Sequence, residues 1–313
     1  MATGSSGNKI QSGGLLEDPG GMCESAIRLI KAGIRKNGLV LILVLGFSNN
    51  LKAQTIIPYG NNPAAGKYIR LNGVKHYFEV YGQGKPLLLL HGNSTGISGF
   101  AAQISHFSKK YRVYALENRG RGHSDPGPDS LNFKQMANDV AAFIQLMQLD
   151  SVTVLGKSDG GIIGIFLGIY YPAHISRIVA FGANMWPDST ALYPIVVQKI
   201  HSERVEAEKM VSLGDTTKNW KQEVRRLRLD EFQPNIHASD LQQIKVPVLV
   251  VSCDRDVIRE EHTLYIYQHI PLADLCILPG ETHHVPKENP ALFNAMVDKF
   301  LSKEFQGDPL RFK

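Results

Sequence analysis

Cysteine is scarce: Cys23, Cys253 and Cys276 are the only three in 313 residues. So few exclude a scaffold built on disulfides, and their spacing excludes a zinc module. No run of 18 or more apolar residues occurs, so no ordinary membrane span and no stable membrane insertion are expected. A sustained basic run is also missing from the body of the chain. Thirty-four Lys and Arg stand against 29 Asp and Glu, a formal charge of +5. Part of that excess is local, because residues 1–54 hold six cations and three anions. Nucleic acid is therefore not expected as a partner. There is no H-E-x-x-H among the histidines, and no G-x-G-x-x-G opens the first helical stretch. Neither a metal nor a dinucleotide is implied, and no cofactor is expected. No internal repeat is visible, and nothing in the chain fixes an oligomeric state.

What is present is an ordinary apolar fraction, 43% of residues, against 20% charged, enough for a well-buried core. The first 54 residues stand apart. Residues 1–21 are rich in Gly and Ser and have no hydrophobic period. After Met22 come four cations, Arg28, Lys31, Arg35 and Lys36, and then the apolar run Leu39–Phe47. A polar stretch containing Ala53 follows. A basic segment, a short apolar segment and a small residue before a cut are the layout of a secretory signal. Residues 1–54 are thus read as a leader and signal peptide. The protein is expected to be exported, periplasmic or secreted, after cleavage near Ala53.

From Gly66 the chain alternates between two periods. Strands are expected at Tyr68–Leu71 and Val74–Tyr81, turning at Asn72-Gly73, and at Pro86–Leu90, Tyr111–Leu116, Ser151–Leu155, Ile178–Phe181, Val246–Ser252 and Asp274–Leu278. Helices are expected at Ile97–Lys109, Phe133–Met147, Gly160–Tyr171, around Glu260–His269 and at Pro290–Leu301. Continuous apolar runs such as Pro86–Leu90 suit strands covered on both faces. Strand and helix alternating at this spacing give an α/β fold, a doubly wound, mostly parallel, eight-stranded sheet. Residues 185–240 break the rhythm. They carry helical stretches around Leu192–Met210 and Asn219–Leu229 and no convincing strand, which reads as a small helical cap inserted after strand 6. The core is then 55–184 together with 241–313.

The chemistry concentrates at loops after strands. Gly156-Lys157-Ser158-Asp159-Gly160 is a G-x-S-x-G between a strand and a helix. The glycines permit a sharp turn that presents the Ser158 hydroxyl at a helix N-terminus. A serine nucleophile needs a base, and the base needs an orienter. Asp256, farther into the loop after Val246–Ser252, is the favoured orienter, with Asp254 the alternative. His283 is the favoured base, with the adjacent His284 the alternative. His91-Gly92-Asn93 follows the Pro86–Leu90 strand, so the Asn93 and Asp159 peptide N–H groups are assigned to an oxyanion hole. His91 itself is read as structural.

Five segments together resemble the α/β-hydrolase superfamily: LLLLHGN (87–93), NRGRGHS (118–124), GKSDGG (156–161), PVLVVSCDRDV (247–257) and PGETHHVPKENP (279–290). The resemblance runs from about Gly66 to Leu301. Ser-Asp-Gly-Gly at 158–161 and Gly-Ala-Asn at 182–184 are similar to the valacyclovir-hydrolase-like serine esterases. The resemblance implies the order Ser158, Asp256, His283 and supports His283 over His284. There are departures. Lys157 stands where that subgroup usually has Trp, Glu117 where Asp commonly precedes the R-G-x-G-x-S turn, and His284 where an apolar residue is usual.

The expected activity is cofactor-free cleavage of a carboxylic ester or related acyl bond of a small molecule through an acyl-enzyme. Lactonase, aminopeptidase and perhydrolase chemistry would use the same triad, and a non-catalytic ligand-binding protein would use the same fold. The cap is expected to choose the substrate, with Met185, Trp186, Tyr193 and Trp220 as candidate wall residues. Asp159 is a further candidate for substrate binding. Its carboxylate would favour a cationic amine in the acyl group, or would only cap the helix that follows.

Overall fold

A computed structural model describes residues 57–128 and 130–305. The leader, the signal segment and the cut near Ala53 lie outside the described residues. The described part belongs to one compact unit that begins at Ile56.

Among the described residues eight strands form one sheet: β1 Gly66–Leu71, β2 Val74–Tyr81, β3 Lys85–Leu90, β4 Tyr111–Leu116, β5 Val152–Lys157, β6 Ile175–Phe181, β7 Val248–Arg255 and β8 Ala273–Thr282. Their order across the sheet is β1-β2-β4-β3-β5-β6-β7-β8. β1–β2 and β2–β4 are antiparallel, and every other pair is parallel. The α-helices of the described residues are α1 Ala101–Phe107, α2 Phe133–Leu146, α3 Asp159–Tyr170, α4 Pro194–Ser212, α5 Trp220–Phe232, α6 Ala238–Leu241, α7 Glu260–His269, α8 Val285–Glu288 and α9 Pro290–Ser302. This is the expected doubly wound architecture.

The run of leucines in β3 shows why the central strands carry no polar face. Leu88 and Leu90 enter one core with α2 and α3, while Leu87 and Leu89 enter a second core with α1 and α9. Side chains alternate across a strand, so a strand covered on both sides must be apolar at every position. Each fully buried leucine contributes about 1.5–3 kcal/mol of transfer free energy. α3 is buried along most of its length, from Asp159 to Ile169, as befits a helix apolar all round. Among the described residues no helix is long and apolar enough to cross a membrane.

Two elements differ from the expectation. The helix read over 97–109 is a 3-10 turn, Ile97–Phe100, followed by α1. The Gly99 N–H reaches Gly96 O at 3.0 Å, the tighter i to i+3 pattern. At the other end of the sheet, β7 and β8 run on to Arg255 and Thr282. A register shift between Cys253 and Arg255 restores pairing, and Arg255 pairs with Thr282. Pro279 and Gly280 are tolerated there because β8 is an edge strand. Cys253 and Cys276 are free thiols on these adjacent strands, and burial pushes the Cys253 thiol up to about 12.

Candidate active site

β5 ends at Lys157 and α3 begins at Asp159, so Ser158 alone turns the chain. It does so at φ 53° and ψ −118°, a region that residues other than glycine rarely adopt. The turn is fixed from both sides: Ser158 N–H donates to Phe181 O at 2.7 Å, and Ser158 O accepts from Ile162 N–H at 3.0 Å. The following helix is pressed against β3. A Cβ on Gly160 would lie 1.8 Å from Leu90 O, which only glycine avoids.

His283 follows β8 and Asp256 follows β7. Their side chains meet, with His283 Nδ1 2.6 Å from Asp256 Oδ1. Nδ1 donates to the carboxylate, which leaves Nε2 to accept a proton. The Asp256 side chain is fully buried, and Oδ1 also accepts from the Val257 and Ile258 amides at 2.7 and 3.3 Å. Burial raises this carboxyl. The His283 ring beside it, and the hydrogen bonds it accepts, outweigh burial and hold it below the usual carboxylate range. The imidazole stacks on Phe181, with ring centroids 5.6 Å apart. Gly182, at φ 60°, leaves room for it: a Cβ there would lie 2.5 Å from His283 Cε1.

The two alternatives have other work. Asp254 is exposed and accepts the Gly280 N–H at 2.7 Å, fixing the turn in β8. His284 opens α8, and its ring meets that of His283 edge-on, with centroids 6.1 Å apart. His91 is buried, and burial lowers its ring to about 4. Its Nε2 accepts the Asn118 N–H at 3.0 Å, so Nδ1 carries the proton and donates to Gly92 O at 2.8 Å. Both nitrogens hold backbone, as a structural histidine does. Glu117 is likewise buried, and its carboxylate receives the His123 N–H across the 118–124 turn.

Ser158, His283, Asn93 and Asp159 all line one cavity of about 170 Å³. The Asn93 and Asp159 peptide N–H groups have no backbone acceptor among the described residues. The Asn93 side chain is clamped by Arg121 and Asp230, and the Asn93 main-chain carbonyl accepts from Arg121 Nε at 2.7 Å. Asp159 is buried beside Asp230 of α5. Burial first, then the Asp230 charge, push the Asp159 carboxyl well up, while Arg121 and Arg226 pull the other way. Burial raises Asp230 to about 6.

The four expected wall residues are elsewhere. Met185 is fully buried in the core, and its N–H donates to His262 Nε2 at 2.9 Å. Trp186 packs on His262 and Tyr265, with its indole N–H on Thr190 Oγ1 at 2.7 Å. Tyr193 is exposed and donates to Glu260 at 2.8 Å. Trp220 holds Asp215 through its indole N–H. None of the four lines the cavity. The segment between β6 and β7 lines it through Leu192, Val196 and Ile200 on one side and Arg226, Asp230 and Gln233 on the other. Lys157 lines it too.

Comparison with known proteins gives a consistent result. The family model described as the alpha/beta hydrolase fold matches residues 85–207. The chain is 28% identical to serine hydrolase BPHL of Homo sapiens over 259 residues, 78% of this chain and 88% of that protein. It is 24% identical to 3-oxoadipate enol-lactonase 2 of Acinetobacter baylyi, covering 72% and 92%. The solved enol-lactonase from Burkholderia xenovorans superposes with a TM-score of 0.63 at 21% identity, covering 76% of this chain and all of that one.

Proposed function

The chain belongs to the α/β-hydrolase superfamily, and from that premise we propose that it cleaves a carboxylic ester or related acyl bond of a small molecule through an acyl-enzyme on Ser158. The observation that carries this reading is the 2.6 Å contact of His283 Nδ1 with Asp256 in the same cavity as Ser158. His283 Nε2 takes the Ser158 proton as Oγ attacks the acyl carbon. Asp256 holds the ring and stabilises its cation. The Asn93 and Asp159 amides receive the oxyanion, the alcohol leaves with the proton held by His283, and water repeats the sequence to release the acid.

Asp159 supports a preference within that class. Its carboxyl is buried in the cavity beside a second carboxyl, Asp230, so a cationic amine on the acyl group would restore a charge that burial disfavours. A small lactone is a second reading, supported by the enol-lactonase among the similar proteins.

The test is turnover on a panel of esters, lactones and aminoacyl esters by wild type and Ser158→Ala. The expected result is hydrolysis lost by about 10³-fold or more in the variant, with an unchanged circular dichroism spectrum. Full activity in Ser158→Ala would remove the reading.

A further inference from the structure

Lys157 is the residue in this cavity that the reaction leaves unused. It is 9% exposed, yet its ammonium makes no hydrogen bond or ion pair among the described residues. Long ammonium side chains are rarely buried without a partner, because desolvation favours the neutral form. Burial does lower this one, and the nearby charges that bear on it are Asp256, Glu288 and Lys287. Neither carboxylate pairs with it: Asp256 Oδ1 holds His283 and two amides while its Oδ2 is buried without a hydrogen-bond partner, and Glu288 accepts from Thr282 Oγ1 at 2.8 Å. The other fixed cation lining the cavity, Arg226, is held by Glu223 at 2.7 Å and by Asp230 at 3.4 Å. Lys157 is thus a desolvated, unengaged positive charge on the wall of a site that receives small molecules.

Its position says which part of the substrate it meets. Lys157 is the register partner of Phe181 across β5 and β6, so both side chains leave the same face of the sheet, and the Phe181 ring stacks on that of His283. Asp159, by contrast, belongs with Asp230, Arg121 and Arg226. The general base must later protonate the leaving oxygen, so the alcohol portion of an ester lies on the side of the imidazole. We propose that Lys157 is a specificity-determining residue that binds a carboxylate on the alcohol portion, so that the favoured substrates are acyl esters of small hydroxy acids. A single ammonium suits a monoanion. This rests on the reading of Ser158 as the nucleophile.

The experiment has two arms. The first labels Ser158 with a fluorophosphonate and measures protection by 3-hydroxypropanoate and by 3-hydroxypropanamide in wild type. Half-protection is expected at tenfold lower concentration, or less, for the acid. The second compares kcat/KM for 3-(butyryloxy)propanoate and its carboxamide in wild type and Lys157→Met. A ratio of tenfold or more is expected in wild type, falling to about one in the variant. Monopropyl glutarate and its carboxamide place the charge on the acyl side instead and are expected to show no such preference. Absence of labelling at Ser158 would refute the nucleophile and the reading beneath it. Labelling with equal protection by acid and amide would overturn the Lys157 assignment alone, whether or not the variant folds. A wild-type preference that survives in Lys157→Met, or one confined to the glutarate pair, would also overturn it.

Discussion

His283 and His284 are neighbours in sequence and differ in what their rings touch. His283 donates to a fully buried carboxylate and stacks on Phe181. His284 opens a helix, and burial together with the Lys157 and His283 charges lowers its ring below the usual range. His283→Ala is therefore expected to lower kcat/KM by about 10³-fold or more, and His284→Ala by less than about tenfold. Asp256→Asn is expected to cost about 10⁴-fold through the wrong tautomer, whereas Asp254→Asn touches only a turn. Steady-state kinetics on one ester checks all four, and a reversed ranking would move the base or the orienter. At this scale the sequence was legible where motif and element boundary coincide. The glycines of G-x-S-x-G mark a sharp turn by their local chemistry alone, and the close approach of Gly160 to Leu90 O explains why. The wall residues were not legible. Aromatic side chains such as Trp186 and Trp220 are as useful for packing as for binding, and here they pack.

α5 is the element that brings charge to the site from outside the sheet. Arg226 and Asp230 are four residues apart and so share one helix face, which lines the cavity. That spacing alone reads as a solvated ion pair, and only the packing of the helix over Asn93 and Asp159 makes it part of the site. The paired carboxyls give a testable pH dependence. Both have pKa values above the ordinary value, so the protonated form persists to higher pH, to about 6 for Asp230. A bound ammonium favours the ionised form. The ratio of kcat/KM for an α-amino ester over its des-amino analogue is thus expected to rise as pH climbs above the ordinary carboxylate range and the pair ionises. In Asp159→Asn the ratio is expected to be lower across the pH range, and an unchanged ratio would leave Asp159 with its backbone role only. Strand limits show the same division between local and tertiary causes. β4 and α2 follow directly from their apolar patterns. β8 runs past Pro279-Gly280 because pairing with Arg255 continues it, and no local signal records that partner.

The whole molecule couples a two-faced apolar sheet to a site built at the ends of its strands. Ser158, Asp256 and His283 come from three places far apart in sequence, and the parallel order of β5 to β8 brings them to one end. The fold was legible because every central strand must be apolar on both faces; the identity of the substrate was not, because the cavity wall combines β5, α3 and the segment between β6 and β7, which only packing brings together. We propose that the basic, apolar and small-residue pattern of residues 22–54 directs export. Mass spectrometry of natively expressed protein is expected to find a chain starting close to Gln54, and an intact leader on cytoplasmic protein would contradict it. The central claim is that Ser158 is a nucleophile activated by His283 and Asp256. It is tested most directly by intact-mass measurement after exposure to a fluorophosphonate, with peptide mapping of the adduct. One adduct per chain, on Ser158, formed far more slowly in His283→Ala and absent in Ser158→Ala, is the expected result; an adduct elsewhere, or one that persists in Ser158→Ala, would contradict the account.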